Sequence, residues 1–511
     1  MPAKSKEKWE RGDFQTPYQL AESAISVLAS NGFKPSTIIE PTCGRGSFLL
    51  AAGREFLDSQ RLIGLEINED HLSVARQDVS LLFGENKTNL IQADFFNFNW
   101  EALITNLPQP ILIVGNPPWV TNSELGYLRS ANLPVKSNIN NLTGYDALTG
   151  KSNFDISEWM IIKYFKWLEN REGVIAILCK TAVARKVLKF AWQKGLRISN
   201  CKMFGINAQE HFNASVDACF LVIEMTNKVV TKECEYYSDL NSPLPAFFIG
   251  FRENFVVANV KQFDQWSSLI SDGKVTSWRS GIKHDCSKIM ELEKVGDRYQ
   301  NGMDSSVELE EDYIFPMLKS SDISNGKIRI GRKYMLVPQR KIDEDTDPIR
   351  RIAPKTWEYL RNNEGWFDKR ASSIYKGRYR FSIFGVGEYS FAPWKVAVSG
   401  FYKRLVFRLI SEYEGKPVVV DDTIYFMPFW SETEARLVCD LLNSEPSRQF
   451  FESMIFWSDK RPITIELLKR LDLRALSIAI SRYDEYDLLI ERKGYENRVH
   501  LSRQATLQMD N

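Results

Sequence analysis

Asn116-Pro117-Pro118-Trp119 sets an amide, a rigid backbone and a flat aromatic side by side, a combination suited to handling a planar amine. An exocyclic amine on a nucleobase is a poor nucleophile because its lone pair is delocalised into the ring. Two hydrogen-bond acceptors facing its two N–H bonds draw that nitrogen towards tetrahedral geometry. The side-chain oxygen of Asn116 can be one acceptor and the backbone carbonyl of Pro117 the other. Pro118 fixes its own φ and restricts Pro117, so that carbonyl is aimed before anything binds. Trp119 offers a face on which a base can stack. The same four residues also suit an ordinary Pro-Pro loop, so the rest of the chain has to decide.

The elements that must position this turn are legible around it. Ile111-Leu112-Ile113-Val114, bounded by Pro110 and Gly115, reads as a fully buried parallel strand that delivers Asn116 at its carboxyl end. Upstream, Thr37-Ile38-Ile39-Glu40 is a short strand followed by Pro41-Thr42-Cys43-Gly44-Arg45-Gly46 and an apolar helix from Ser47. Gly44 and Gly46 allow backbone to approach a ligand closely. A carboxylate at the strand end, Glu40, argues against a phosphate and for a cationic ligand, and the amino-acid end of S-adenosylmethionine fits. Arg61 to Ile67 is a second strand closing on Glu66, about 20 residues after the glycines, where related nucleotide folds place an acid on ribose hydroxyls. Asn89 to Ala93 is a third, ending in Asp94, which can accept from an adenine amine, and Phe95, which can pack on a purine. Gln15-Thr16-Pro17 leads into helical spacing of Leu20, Ala24 and Leu28, with Thr16 as N-cap and Pro17 at the first helical position. Three strands ending in acids and a fourth ending in Asn-Pro-Pro-Trp converge as ligand sites of open α/β sheets do.

In order, Gln15-Thr16-Pro17, Glu40 to Gly46, Glu66, Asp94-Phe95 and Asn116 to Trp119 resemble the motif series of gamma-class N6-adenine DNA methyltransferases, over roughly the first 230 residues. The resemblance implies a Rossmann-like α/β methyltransferase domain with S-adenosylmethionine held by Thr16, Glu40, Gly44, Gly46, Glu66, Asp94 and Phe95. It implies catalysis by the Asn116, Pro117, Pro118 and Trp119 turn. It also assigns Phe212, in Gln209 to Ile223, as an aromatic stacking on a flipped target base opposite Trp119; by residue type alone Phe212 is as readily a core aromatic. Where Trp119 stands the family more often has Tyr or Phe. The implied reaction is methyl transfer to N6 of adenine at specific sites in double-stranded DNA by base flipping, within a restriction-modification or related phage-defence system. A separately encoded cognate restriction endonuclease would be its companion.

Composition agrees with a soluble globular chain: 511 residues, 44% hydrophobic, 26% charged, net charge +1. That length predicts more than one domain. No charged-then-apolar leader follows Met1 and no apolar run approaches the roughly 20 residues needed to span a bilayer, so the expectation is a cytoplasmic monomer without membrane association. Seven cysteines and four histidines are dispersed, which points to neither a disulfide framework nor a metal site.

The pattern weakens between about Thr226 and Ala246, where Ser242-Pro243-Leu244-Pro245 intervenes, and predicts a boundary between a catalytic domain, 1–235, and a second domain, 246–511. Tyr313 to Ile323 and Arg380 to Gly400 resemble segments of recognition domains in restriction-associated adenine methyltransferases, implying an α+β DNA-recognition domain. Charge points the same way independently. Lys369 to Leu409 carries nine basic residues, among them Lys376, Arg378, Arg380, Lys395, Lys403 and Arg404, against the single acid Glu388, with Tyr375, Tyr379, Phe381, Tyr389, Trp394 and Tyr402 interleaved. Such a mixture suits phosphate contact and base packing, although a solvated basic face looks the same in sequence. The end of the chain, including Tyr483 to Arg492, is charged and predicted helical. Rival readings are methylation of RNA or of a protein glutamine, since the turn suits any planar amine or amide, and a DNA-binding subunit of a defence complex that keeps the fold without turnover.

Overall fold

In a computed structural model, residues 15–120, 155–226, 230–271, 277–296, 298–324 and 328–491 are described. The chain divides into two compact units between Val260 and Lys261.

The first unit is built on a ten-stranded sheet in the order β10-β9-β8-β6-β7-β5-β4-β1-β2-β3. Its parallel half is β1 (Thr37–Glu40), β2 (Arg61–Glu66), β3 (Thr88–Gln92), β4 (Ile111–Gly115) and β5 (Gly173–Lys180). β1 and β4 are buried along their whole length, as strands of a parallel sheet covered on both faces are. β7 (Ala218–Met225) runs antiparallel to both β5 and β6 (Ile198–Ile206).

From β1 the chain steps outward through β2 to β3, then returns to the other side of β1 as β4. That reversal opens a crevice beyond the carboxyl ends of β1 and β4, the position where open α/β sheets take ligands. The sheet therefore puts Glu40, last in β1, and Asn116, first after β4, at one place.

Helix α1 (Tyr18–Ser30) buries Leu20, Ala21, Ala24, Ile25 and Leu28. It starts one residue later than its sequence suggests: Pro17, not Thr16, occupies the N-cap. Helix α2 (Ser47–Glu55) follows the glycine turn, and α3 (Glu69–Ala75) follows β2. Helix α4 (Ile156–Trp167) covers the sheet next to β5.

The expected boundary falls too early. β8 (Glu233–Tyr237), β9 (Phe247–Arg252) and β10 (Phe255–Val257) continue the first unit's sheet, β8 pairing in parallel with β6. Ser242 to Pro245 is thus a hairpin connection between β8 and β9, and its turn-forming residues mimic a linker.

The second unit is α+β. A four-stranded antiparallel sheet has the order β11 (Arg279–Ser280), β20 (Ile424–Phe429), β17 (Trp394–Ser399), β18 (Arg408–Ile410), and a six-stranded sheet the order β14 (Ser306–Val307), β13 (Arg298–Asn301), β12 (Glu291–Val295), β16 (Lys333–Leu336), β15 (Ile314–Leu318), β19 (Val419–Val420). Arg380 to Gly400 supplies β17 and a loop crossing at Gly385, whose φ is +69° and where a Cβ would lie 2.3 Å from the Gly281 carbonyl; only glycine permits that approach. The described end of the chain is helical at Tyr483–Tyr486, with a π-helical turn to Glu491.

Candidate active site

At the switch point the Asn116 amide donates to the Thr16 hydroxyl, 3.3 Å away. Thr16 is therefore a partner of the turn and not a helix cap, while its carbonyl accepts from Ser47 Oγ at 2.8 Å, joining the segment before α1 to the start of α2. Gln15 beside it accepts from the Arg45 N–H at 3.1 Å, and its amide nitrogen lies 3.3 Å from His71 Nδ1.

The glycine turn is shaped by protein as much as for ligand. Gly44 has φ +50° and a Cβ there would lie 2.5 Å from Gln15 Oε1; Gly46 has φ +81° and would meet Val79 and Ala75 at 3.1 and 3.2 Å. Both positions need the left-handed region. Glu66 holds the turn from the next strand, its carboxylate accepting from Gly44 N–H and Asn68 N–H, each at 2.9 Å.

Glu40 is buried, and its carboxylate accepts one backbone N–H, from Leu49 at 3.1 Å. Among the described residues no cation forms an ion pair with it. Burial, with a further push from Glu66, raises its pKa well above the ordinary carboxylate range against the lowering by Leu49. Gly115 brings β4 up to it: a Cβ at Gly115 would lie 3.3 Å from Glu40 Cγ. A buried carboxylate lacking a cation fits a ligand that brings an ammonium, as S-adenosylmethionine does.

Asp94 spends its two oxygens on Phe96 N–H and the Asn97 amide, at 2.9 and 2.7 Å. Phe95 is buried in an aromatic cluster with Trp100, Trp159, Tyr164 and Trp167, at centroid distances of 5.4 to 6.2 Å. Phe96, only partly buried, lies over Trp159 at 5.1 Å.

The structure brings Trp119 and Phe212 together, but not as parallel walls of a slot. Their centroids are 5.1 Å apart with planes at 70°, and they are only 5% and 8% exposed. A base between two stacked rings needs them parallel and roughly 7 Å apart, so the expected sandwich is absent from this conformation. Phe212 ends a five-residue helix, Ala208–Phe212; Asn207 caps its start and Asn213 closes it at φ +53°. Trp119 is the better anchored ring, its indole N–H donating to the Leu178 carbonyl at 3.4 Å, a bond that phenylalanine at this position cannot make.

Two residues missed in the sequence complete the turn. Lys180, last in β5, donates to the Trp119 carbonyl at 2.9 Å and pairs with Asp155 at 2.8 Å. Asp155 was findable, since Asp-x-x-Glu before an apolar periodic run signals a helix start, and it does cap α4. Lys180 carried no comparable signal.

In the second unit Lys376, Arg378, Arg380, Lys403 and Arg404 are exposed. Arg378 pairs with Asp343, and Arg380 with Glu364 and Asp368. Lys395 is not a surface cation: it is 1% exposed and its ammonium donates to the Ala392 carbonyl at 2.6 Å beneath Phe426. Its place within β17 turns it inward, and burial lowers its pKa to about 7. Lys395 therefore does not contact DNA phosphate in this fold.

Fold and site together define a methyltransferase that uses S-adenosylmethionine. Residues 3–186 match the N-6 DNA methylase family. The type II methyltransferase M.NspV of a Nostoc species is 41% identical over 475 residues, covering 93% of this chain and 98% of that protein. M.CvrRI, a type II methyltransferase of Paramecium bursaria Chlorella virus XZ-6E, is 31% identical over 116 residues, 23% of this chain and 26% of that one. Among solved structures, the type IIL restriction-modification enzyme MmeI, in complex with DNA, shares the fold with a TM-score of 0.54 at 13% identity, covering 88% of this chain and 64% of its own. The chain belongs to the N-6 DNA methylase family and is an adenine-specific DNA methyltransferase of the restriction-modification type.

Proposed function

We propose that the Asn116–Trp119 turn takes an adenine flipped out of duplex DNA and that the second unit selects where this happens. The observation that carries the reading is the meeting of the Asn116 amide, Thr16 and Glu40, a buried carboxylate paired with no cation among the described residues, at the switch point of the sheet.

When bound, S-adenosylmethionine supplies a methyl group on a sulfonium that is already electrophilic. Glu40 receives the cofactor's ammonium, and Glu66, Asp94 and Phe95 serve its nucleoside end. Asn116 Oδ1 and the Pro117 carbonyl accept the two N–H bonds of the adenine amine and draw its lone pair out of the ring. Their part is positioning and polarisation ahead of an in-line displacement. The base stacks on Trp119, and Phe212 moves off the indole edge to admit it. Breaking that aromatic contact costs about 0.5–1.5 kcal/mol, which stacking worth about 1–3 kcal/mol per base offsets.

On the second unit, Lys376, Lys403 and Arg404 contact phosphate, and Arg378 and Arg380 do so by exchanging their surface carboxylates for it. The protein works as a monomer in the cytoplasm, alongside a separately encoded endonuclease.

The test is incubation of the purified protein with methyl-labelled S-adenosylmethionine and duplex DNA, followed by nucleoside analysis and mapping of modified bases. Label in N6-methyladenine at one sequence is expected. Label at scattered adenines would refute site selection, and equal rates on duplex and on RNA would refute the assignment of the second unit.

A further inference from the structure

We propose that Lys180 and Asp155 form a positioning clamp that holds the acceptor turn in register for reaction. The proposal rests on the role given above to Asn116 and Pro117.

β5 serves as a template for the turn at three successive points. Gly115 is in register with Ile177, the Trp119 indole donates to the Leu178 carbonyl, and the Lys180 ammonium grips the Trp119 carbonyl. The turn is thus fixed at its start by the sheet and at its end by a charged hydrogen bond. Between these anchors the φ angles of Pro117 and Pro118 are locked by their rings. The torsions of Asn116 and the two proline ψ angles remain to be set, and a fixed Trp119 peptide restricts them.

The clamp is itself braced. Asp155 is buried, pairs with Lys180 through Oδ2, and uses Oδ1 to accept the Ser157 N–H at 3.1 Å at the start of α4. The next residue, Ile156, donates to the Val120 carbonyl at 3.0 Å. The turn, β5 and α4 therefore meet through one ion pair. A lysine at this point is costly to bury unless paired, and an apolar side chain would fill the space without directing the carbonyl. The ammonium acts by orientation: a cation offered to an amine that becomes cationic as it is methylated would oppose the reaction, whereas a cation spent on a backbone carbonyl and a carboxylate does not.

The experiment compares Lys180→Met, Lys180→Arg and Asp155→Asn with the wild-type protein on DNA carrying the sequence that the wild type modifies. It measures kcat, the Kd for S-adenosylmethionine and Tm. Misplacement of a reacting group by about 1 Å can cost about a hundredfold in rate. Lys180→Met is expected to lower kcat roughly 10- to 100-fold with cofactor Kd within about twofold, and Lys180→Arg to recover part of the loss. Asp155→Asn keeps an oxygen to cap α4 but loses the charge, and falls between them. Unchanged kcat in Lys180→Met overturns the proposal. So does a kcat loss that follows losses in Tm and cofactor affinity and is not relieved by arginine. If Lys180→Met does not fold, Asp155→Asn decides by the same kcat-against-Kd split. Wild-type protein that leaves adenine unmodified would overturn the parent assignment of the turn instead.

Discussion

Replacing Glu40 by glutamine should have opposite effects on the empty protein and on cofactor binding. The carboxylate is buried, accepts only the Leu49 N–H in its described surroundings, and has its pKa raised by desolvation and by Glu66. A raised acid means that the unfolded chain ionises first, so the empty protein loses stability as pH rises from the ordinary carboxylate range towards the folded value. Glutamine keeps an oxygen for Leu49 and removes that loss, so Glu40→Gln should raise the Tm of the empty protein at neutral pH. Cofactor binding should move the other way. A hydrogen bond to a charged group contributes about 1.5–3 kcal/mol, so the substitution should weaken S-adenosylmethionine roughly 10- to 150-fold. Below the free protein's Glu40 pKa the ammonium must displace a proton, and wild-type affinity should rise with pH by up to about 1.4 kcal/mol per pH unit before levelling. Titration calorimetry in two buffers of different ionisation enthalpy should find proton release in the wild type and none in Glu40→Gln. S-adenosylhomocysteine, which keeps the ammonium but lacks the sulfonium, should suffer a similar loss. Affinity independent of pH in the wild type, together with unchanged binding by the variant, would refute the ammonium contact.

Asn116→Ala should lower kcat by a hundred- to a thousandfold, the loss of about 2.7–4 kcal/mol typical of one oriented hydrogen bond at a reacting centre, while cofactor Kd stays near wild type; methylation near the wild-type rate would remove Asn116 from the chemistry. Phe212→Ala should slow methylation of matched duplex more than of duplex mismatched at the target, where flipping is already easier; equal losses would return Phe212 to a core role. Lys395→Met should leave DNA affinity and its salt dependence unchanged, while Lys403→Ala with Arg404→Ala should reduce the slope of log K against log salt by about 2. Because burial lowers the Lys395 pKa to about 7, below its unfolded value, its destabilising effect is full below pH 7 and fades as pH rises towards 10.5. The Tm gain of Lys395→Met should shrink over the same range.

The strands and the switch point were legible because buried parallel strands read as unbroken apolar runs and end in residues that stand out. Glu40, Glu66 and Asn116 are each such an ending. What their side chains bond was not legible. Thr16 had the local pattern of a cap, and its hydroxyl instead meets Asn116, a hundred residues away, which no local pattern encodes. Lys180 likewise acts through contacts 61 and 25 residues distant. The basic stretch shows the limit in another form: Lys395 and Lys403 contribute equally to local charge, but one lies within β17 and points into the core, while the other lies in the exposed loop after it. The boundary was misplaced because Ser242 to Pro245 has the composition of a linker, and the pairing of β8 to β9 that makes it a hairpin is set by partners across the sheet.

The closed aromatic pair assigns different parts to its two rings. Trp119 is tied to β5 through both its indole N–H and its carbonyl, so moving it would break two hydrogen bonds and release the turn that presents the Pro117 carbonyl. Phe212 sits at the end of a five-residue helix with a left-handed residue immediately after it, and leaving the indole edge breaks an aromatic contact worth about 0.5–1.5 kcal/mol. On the proposed reading it is Phe212 that gives way to the base, which leaves the acceptors in place. The contact also keeps both rings away from water. On that reading an arriving adenine would exchange one apolar partner of Trp119 for another.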